Sequence, residues 1–166
     1  RRRVLASVVG IQVVLPEPKL TFKGKRKIIA EVGPSEGIGS GIIVDAEGLI
    51  LTCAHVVEES PEAMVLLGDD REVRGTVLVS DRTSDLALVR VRAGTLPALD
   101  LRAEASLLDR EQVYRASRPG GATARFTEGN LAGPGTYHVG HSQFEFFRGF
   151  SGDIERGDSG GALVDS

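Results

Sequence analysis

The chain has 166 residues, 21 of them glycine, no tryptophan, one cysteine and a formal net charge of −3. That length is enough to bury a real core. The small negative charge gives no reason to expect nucleic acid or an anionic membrane as a partner, and a lone Cys53 rules out an intrachain disulfide.

In chain order, Arg1-Arg2-Arg3 and the apolar residues after it have the outline of a secretory signal. The apolar run is too short to span a bilayer. It reads better as a first strand over residues 6–15, ended by Pro16 and Pro18. The chain does not begin with Met and is expected to be a fragment of a longer protein. The basic stretches at 1–3 and 23–27 read as solvated, because no aromatic residues interleave for base stacking. Ile42-Ile43-Val44, the turn Asp45-Ala46-Glu47-Gly48 and Leu49-Ile50-Leu51-Thr52 predict a β-hairpin. A short helical turn is expected around His55. In residues 86–91, Leu86, Leu88 and Arg90 alternate with Ala87, Val89 and Val91, which predicts a mostly buried strand with Asp85 at its start. Asp81 is the competing acid and reads as a turn residue. Residues 93–100 form a connector. A second β-rich unit begins near 105, with a strand at 111–116, a turn at Arg118-Pro119-Gly120-Gly121 and an aromatic strand at 144–150. The expected division is therefore 1–95, 96–104 and 105–166, and the fold class all-β.

The chemistry concentrates at the end of the chain. In Gly157-Asp158-Ser159-Gly160-Gly161 the glycines permit a tight turn that presents a serine hydroxyl and aims backbone N–H groups at one spot. A glycine-flanked serine alone is a weak signal. As a nucleophile it needs a base, for which His55 is the candidate, and the base needs an acid to orient it, for which Asp85 is the candidate. Each has a plainer reading: a satisfied histidine at a strand end, and a turn carboxylate. Cys53 sits two residues before His55 but among apolar neighbours, so it reads as a packing residue rather than a Cys/His nucleophile. His138 and His141 have a zinc-compatible spacing. Only Glu145 is near and no Cys or Glu cluster completes a site, so they read as a solvated loop. No metal and no cofactor are expected.

Gly39-Ser40-Gly41-Ile42-Ile43-Val44-Asp45, Leu51-Thr52-Cys53-Ala54-His55-Val56-Val57, Ser84-Asp85-Leu86-Ala87-Leu88-Val89 and Gly157-Asp158-Ser159-Gly160-Gly161 resemble, in order, the four signature blocks of trypsin-like serine proteases of bacterial type. The first three are most similar to the HtrA family. The fourth resembles trypsin, because Asp158 stands where HtrA proteins usually have Asn. The resemblance runs from about residue 37 to the end. It implies two six-stranded β-barrels with the site between them, the second barrel incomplete because the chain stops seven residues after Ser159. It implies peptide-bond hydrolysis through an acyl-enzyme, with Ser159 as nucleophile, His55 as base and then acid, Asp85 as orienting acid, and the N–H groups of Gly157 and Ser159 as the oxyanion hole.

Asp153 lies six residues before Ser159, where trypsin places the acid that selects Arg or Lys. The alternative is a solvated loop acid in Ser151-Gly152-Asp153. In trypsins the acid equivalent to Asp158 is paired by an N-terminal amine freed by cleavage. This chain lacks the usual activation sequence, so Asp158 needs another partner. The expected partners are a protein or peptide substrate and additional domains or a regulatory partner. Two other readings are a non-catalytic peptide-binding or scaffold module of the same fold, and an esterase with the same triad. Cytoplasm is favoured slightly over periplasm, since no convincing export signal is seen.

Overall fold

The computed structural model describes residues 2–14, 36–58, 60–102, 109–121, 123–139 and 142–165, with the backbone alone for Val14, Glu36 and 134–148. A short helix, α1 (Arg2–Ser7), leads into β1 (Val8–Val14), followed by β2 (Glu36–Asp45), β3 (Leu49–Cys53), a single helical turn α2 (Ala54–Val57), β4 (Glu62–Leu66), β5 (Glu72–Asp81) and β6 (Leu86–Val91). These six strands close into a barrel in the order β1-β2-β3-β6-β5-β4. Every neighbour is antiparallel, and β1 pairs with both β2 and β4, so the barrel has no free edge. A second, four-stranded sheet follows, in the order β10-β7-β8-β9, built from β7 (Gln112–Ser117), β8 (Arg125–Val139), β9 (Ser142–Phe150) and β10 (Ala162–Val164). The fold is thus all-β, one closed barrel and one open half.

The period-2 pattern explains the barrel core. Val9, Ile11 and Val13 of β1, Ile50 of β3, Ala63 and Val65 of β4, and Ala87, Val89 and Val91 of β6 all point inward and are buried. Each Val or Ile side chain so removed from water contributes roughly 1.5–3 kcal/mol. The expected alternation in 86–91 is present, with Leu86 on the outer face and 47% exposed. The hairpin turn at Asp45 is held by the Glu47 N–H on Asp45 Oδ1 at 2.6 Å and the Gly48 N–H on the Asp45 carbonyl at 3.0 Å.

The other face of β1 belongs to the second sheet. Val8 packs with Ala116 of β7 and Ala162 of β10, with Ile42, Phe126 and Val164 against them. The two sheets therefore share a small apolar seam. Arg118, buried at the end of β7, reaches across to Asp70 of the barrel, and the Gln12 side chain donates to the Gly120 carbonyl.

Two expectations shift. The strand expected over 6–15 begins only at Val8, because residues 2–7 form α1, where Ser7 returns its hydroxyl to the Arg3 carbonyl at 2.9 Å. Arg3 is not simply solvated: its guanidinium donates to the Ala98 carbonyl at 3.0 Å. Leu15, Pro16, Pro18 and the basic stretch 23–27 lie outside the described residues. Replacing the fully buried Ile50 with Ala is expected to destabilise the barrel by about 3 kcal/mol, read as a shift in the urea unfolding midpoint at unchanged slope.

Candidate active site

Strand register brings the base and the acid together. β3 and β6 pair antiparallel with Cys53 opposite Leu86. One residue further along, Ala54 meets Asp85, and the Ala54 N–H donates to the Asp85 carbonyl at 3.1 Å. The chain then turns into α2, which swings His55 over Asp85. The carboxylate receives two bonds from the one residue: the His55 backbone N–H on Oδ1 at 2.9 Å, and the ring Nδ1 on Oδ2 at 2.7 Å. Asp85 adopts φ +53°, a left-handed conformation that Asp tolerates better than most residues. A carboxylate can only accept, so the Nδ1 facing it carries the proton and Nε2 keeps its lone pair. The His55 side chain is 56% exposed and Asp85 30%, which leaves the ring open to a substrate. Asp81 is the turn residue expected: its carboxylate accepts from the Thr83 N–H at 2.9 Å and the Ser84 hydroxyl at 2.7 Å. The Ser84 bond, more than any other cause, holds its carboxyl below the usual range.

The nucleophile turn is fixed by a residue whose part the sequence did not disclose. Ser40, in the middle of β2, is fully buried. Its N–H donates to the Ser159 carbonyl at 2.8 Å, and its hydroxyl donates to the Gly157 carbonyl at 2.8 Å. The hydroxyl in turn accepts the Arg118 N–H at 2.9 Å, and the Ser40 carbonyl accepts the Thr52 hydroxyl at 2.6 Å. Gly157 and Gly160 hold φ of +90° and +83°, which a side chain tolerates poorly. A Cβ on Gly160 would also fall against the Ser40 carbonyl and 2.5 Å from Thr52 Oγ1. The turn sits against β2 and, at Thr52, against β3, three residues before His55. Ser159 is partly exposed. Among the described residues, its hydroxyl makes no hydrogen bond to His55, and neither the Gly157 nor the Ser159 N–H has an acceptor.

Asp158, buried to 4% exposure, has the partner that the sequence left open. It is the side chain of Arg115 on β7, at 2.7 Å. Asp153 is exposed and, among the described residues, carries no ion pair. Cys53 is partly buried against the barrel core, as a packing residue would be. Burial first, then the Asp85 charge, pushes its thiol up to about 11, and a backbone hydrogen bond from Gly160 pulls it partly back. Its Sγ lies with ligand atoms of His55 and Asp85 in a group that spans no more than 4.8 Å. The backbone of His138 lies on β8 opposite Gln143, not in the loop expected. His141 and both imidazoles fall outside the described residues.

Comparison with known proteins gives these positions a family. The model of the trypsin-like peptidase domain matches residues 39–166. The chain belongs to the trypsin-like peptidase family. It is 30% identical to serine endoprotease DegS of Escherichia coli K12 over 130 residues, 78% of this chain and 37% of that protein. It is 36% identical to a probable periplasmic DegP-like serine endoprotease of Hahella chejuensis over 133 residues, 79% of this chain and 28% of that protein. The HtrA-type protease AlgW, solved with a tripeptide, superposes with a TM-score of 0.79 at 27% identity, over 98% of this chain and 48% of that one. The chain is therefore an HtrA-family serine protease domain, and it spans well under half the length of these curated relatives.

One expectation is overturned. The DegP-like relative and the periplasmic pH-dependent serine endoprotease DegQ of Escherichia coli are named for the periplasm, against the cytoplasm favoured above. The physical reason is that a folded protease domain carries no export information in its own barrel, and a chain with one thiol has no internal pair to oxidise in either compartment.

Ser40→Ala would leave the buried Gly157 carbonyl and Arg118 N–H without their partner. It is expected to cost about 2 kcal/mol in urea unfolding and to slow serine-directed labelling. Cys53 gives a pH test. In the unfolded chain its thiol ionises near 9.0, in the folded one near about 11. Its contribution is whole below pH 9.0 and is lost as pH rises toward about 11. Urea midpoints should fall over that window, and fall less in Cys53→Ala.

Proposed function

We propose that this domain is a serine endopeptidase that cleaves peptide bonds through an acyl-enzyme. The observation that carries the reading is the two-point seating of His55 on Asp85, through both its backbone N–H and its Nδ1. A surface histidine has no need of it. Ser159 Oγ attacks the peptide carbonyl carbon and gives its proton to His55 Nε2. Asp85 stays ionised and stabilises the imidazolium. The carbonyl oxygen takes the negative charge and is met by the N–H groups of Gly157 and Ser159, each such donor contributing about 3 kcal/mol in related sites. His55 then passes its proton to the leaving amine, the C–N bond breaks, and water resolves the ester by the same steps in reverse roles.

We further propose that Asp153 reads Arg or Lys at the residue before the scissile bond. A fixed carboxylate in a substrate pocket selects for a cation that can pair with it. Its exposure supports the plainer loop reading equally, and a peptide library separates them: equal cleavage after Arg and after Leu removes Asp153 from the role. The division 1–95, 96–104 and 105–166 is proposed as two halves and their connector. The much greater length of the relatives supports a module of a larger periplasmic protein with further domains or a regulatory partner. Among the described residues no helix is long and apolar enough to cross a membrane.

A second reading has one observation in its favour: Ser159 and His55 are not hydrogen-bonded. It is a latent site that engages only when substrate or another segment covers the His55 ring. Fluorophosphonate labelling decides. Wild-type protein is expected to gain the mass of one adduct and Ser159→Ala none. Asp85→Asn is expected to lower the turnover of a peptide ester or amide by about 10⁴-fold, the magnitude known from the chymotrypsin template. No adduct on the wild type favours the latent form.

A further inference from the structure

The acid before the nucleophile is buried, and its surroundings are complete. Asp158 Oδ2 is 2.7 Å from Arg115 Nη2 and accepts the Glu155 N–H at 2.6 Å, while Oδ1 accepts the Ser117 hydroxyl at 2.5 Å. Its backbone closes the same turn, with its N–H on the Glu155 carbonyl at 3.1 Å and its carbonyl receiving the Gly161 N–H at 2.9 Å. This one residue therefore fixes the segment from Glu155 to Gly161 that contains Gly157 and Ser159. Arg115 is itself buried, at 7% exposure. Its Nη2 also donates to Thr127 Oγ1 at 3.1 Å, and its guanidinium lies 5.8 Å from the centre of the Phe150 ring. β7 sets the guanidinium in place through its register with both neighbours, Arg115 opposite Leu163 of β10 and Thr127 of β8. A charge in such surroundings is tolerated only when paired, and removing either partner strands the other. Among the described residues the remaining Nε and Nη1 have no hydrogen-bond partner, so the pairing with Asp158 is what the burial of Arg115 rests on.

We infer that Arg115 is the positioning residue of the nucleophile turn, an internal cation that fixes Asp158 as soon as the sheet folds and so makes the oxyanion donors independent of any N-terminal amine freed by cleavage. Arg115 touches no substrate; it acts through Asp158 on Gly157 and Ser159. The inference concerns the same site as the peptidase reading and takes its catalytic consequence from it. Its structural core, the holding of residues 155–161, stands apart from that reading.

The test uses the full chain in four forms: wild type, Arg115→Met, Asp158→Asn and the double variant. Two readouts are followed. The first is amide hydrogen exchange of the peptide spanning 155–161, which needs no activity. Arg115→Met is expected to speed exchange there at least tenfold while the β1–β6 barrel peptides are unchanged. The double variant leaves no stranded charge but has lost the tie itself, and is expected to exchange there more slowly than Arg115→Met and still faster than the wild type. The second is the fluorophosphonate rate, with kcat and KM on a peptide substrate. Arg115→Met is expected to lower the labelling rate and kcat by about 100-fold, the scale of losing one oxyanion donor, with KM within a few-fold of the wild type. Wild-type protein carrying an uncleavable N-terminal extension is expected to label at the unextended rate. Unchanged exchange at 155–161 in Arg115→Met overturns the inference, as does labelling that requires a new N-terminus. If exchange responds but the wild type never labels, the peptidase reading fails while the positioning role stands. Should Arg115→Met not fold, the double variant carries the test: slow exchange and full labelling there, without either charge, overturns the inference.

Discussion

Ser40 is the joint on which the rest depends. One buried hydroxyl and its own peptide group bond both Gly157 and Ser159, accept the N–H of Arg118 and anchor the Thr52 hydroxyl. These partners come from β3, the end of β7 and the nucleophile turn, which with β2 itself makes four segments. Buried polar groups of this kind are costly when left unpaired, so the four segments are fixed together or not at all. Thr52 belongs to the strand that delivers His55, so the same joint relates His55 to the turn that carries Ser159. The small residues either side of Ser40 are where the barrel wall comes closest to α2 and the barrel interior.

The pairing of His55 with Asp85 was legible in the sequence because the chemistry proposed for this domain demands residue types. His55, Asp85 and Ser159 stand in blocks whose glycines and flanking strands are required by geometry, and the structure seats His55 on Asp85. The hairpin at Asp45 to Gly48 and the strand after Asp85 were legible through simple alternation and turn chemistry. The supporting residues were not. Ser40 reads as one more small residue in a glycine-rich strand, and only its burial beneath the turn shows what it joins. Arg115 stands between the buried positions Val113 and Ser117 on β7, and strand alternation from Val113 was the one available signal. It named a buried charge without naming its partner, because the partner lies 43 residues further on and is reached only through β10. The start of β1 was misplaced because residues 2–7 carry an apolar stretch that suits a helix as well as a strand.

Local environment separates the two nucleophile types near the site. Cys53 has the stronger intrinsic nucleophile and lies beside His55 and Asp85, but burial and the Asp85 charge keep it protonated. Ser159 lies on a turn shaped by glycines and faces solvent in part. The carboxylate that seats His55 also adds, after burial, to what holds the thiol protonated.

β1 has two faces and serves two cores. Val9, Ile11 and Val13 fill the barrel, while Val8 joins Ala116 and Ala162 beneath the second sheet. A strand with a foot in each half couples them: loss of β1 opens the barrel and takes Val8 from beneath the second sheet. Proteolytic damage or thermal stress on either half is thereby transmitted to the whole, and a domain of this kind is lost as a unit rather than persisting as a half-folded remnant with a serine still exposed on a mobile turn.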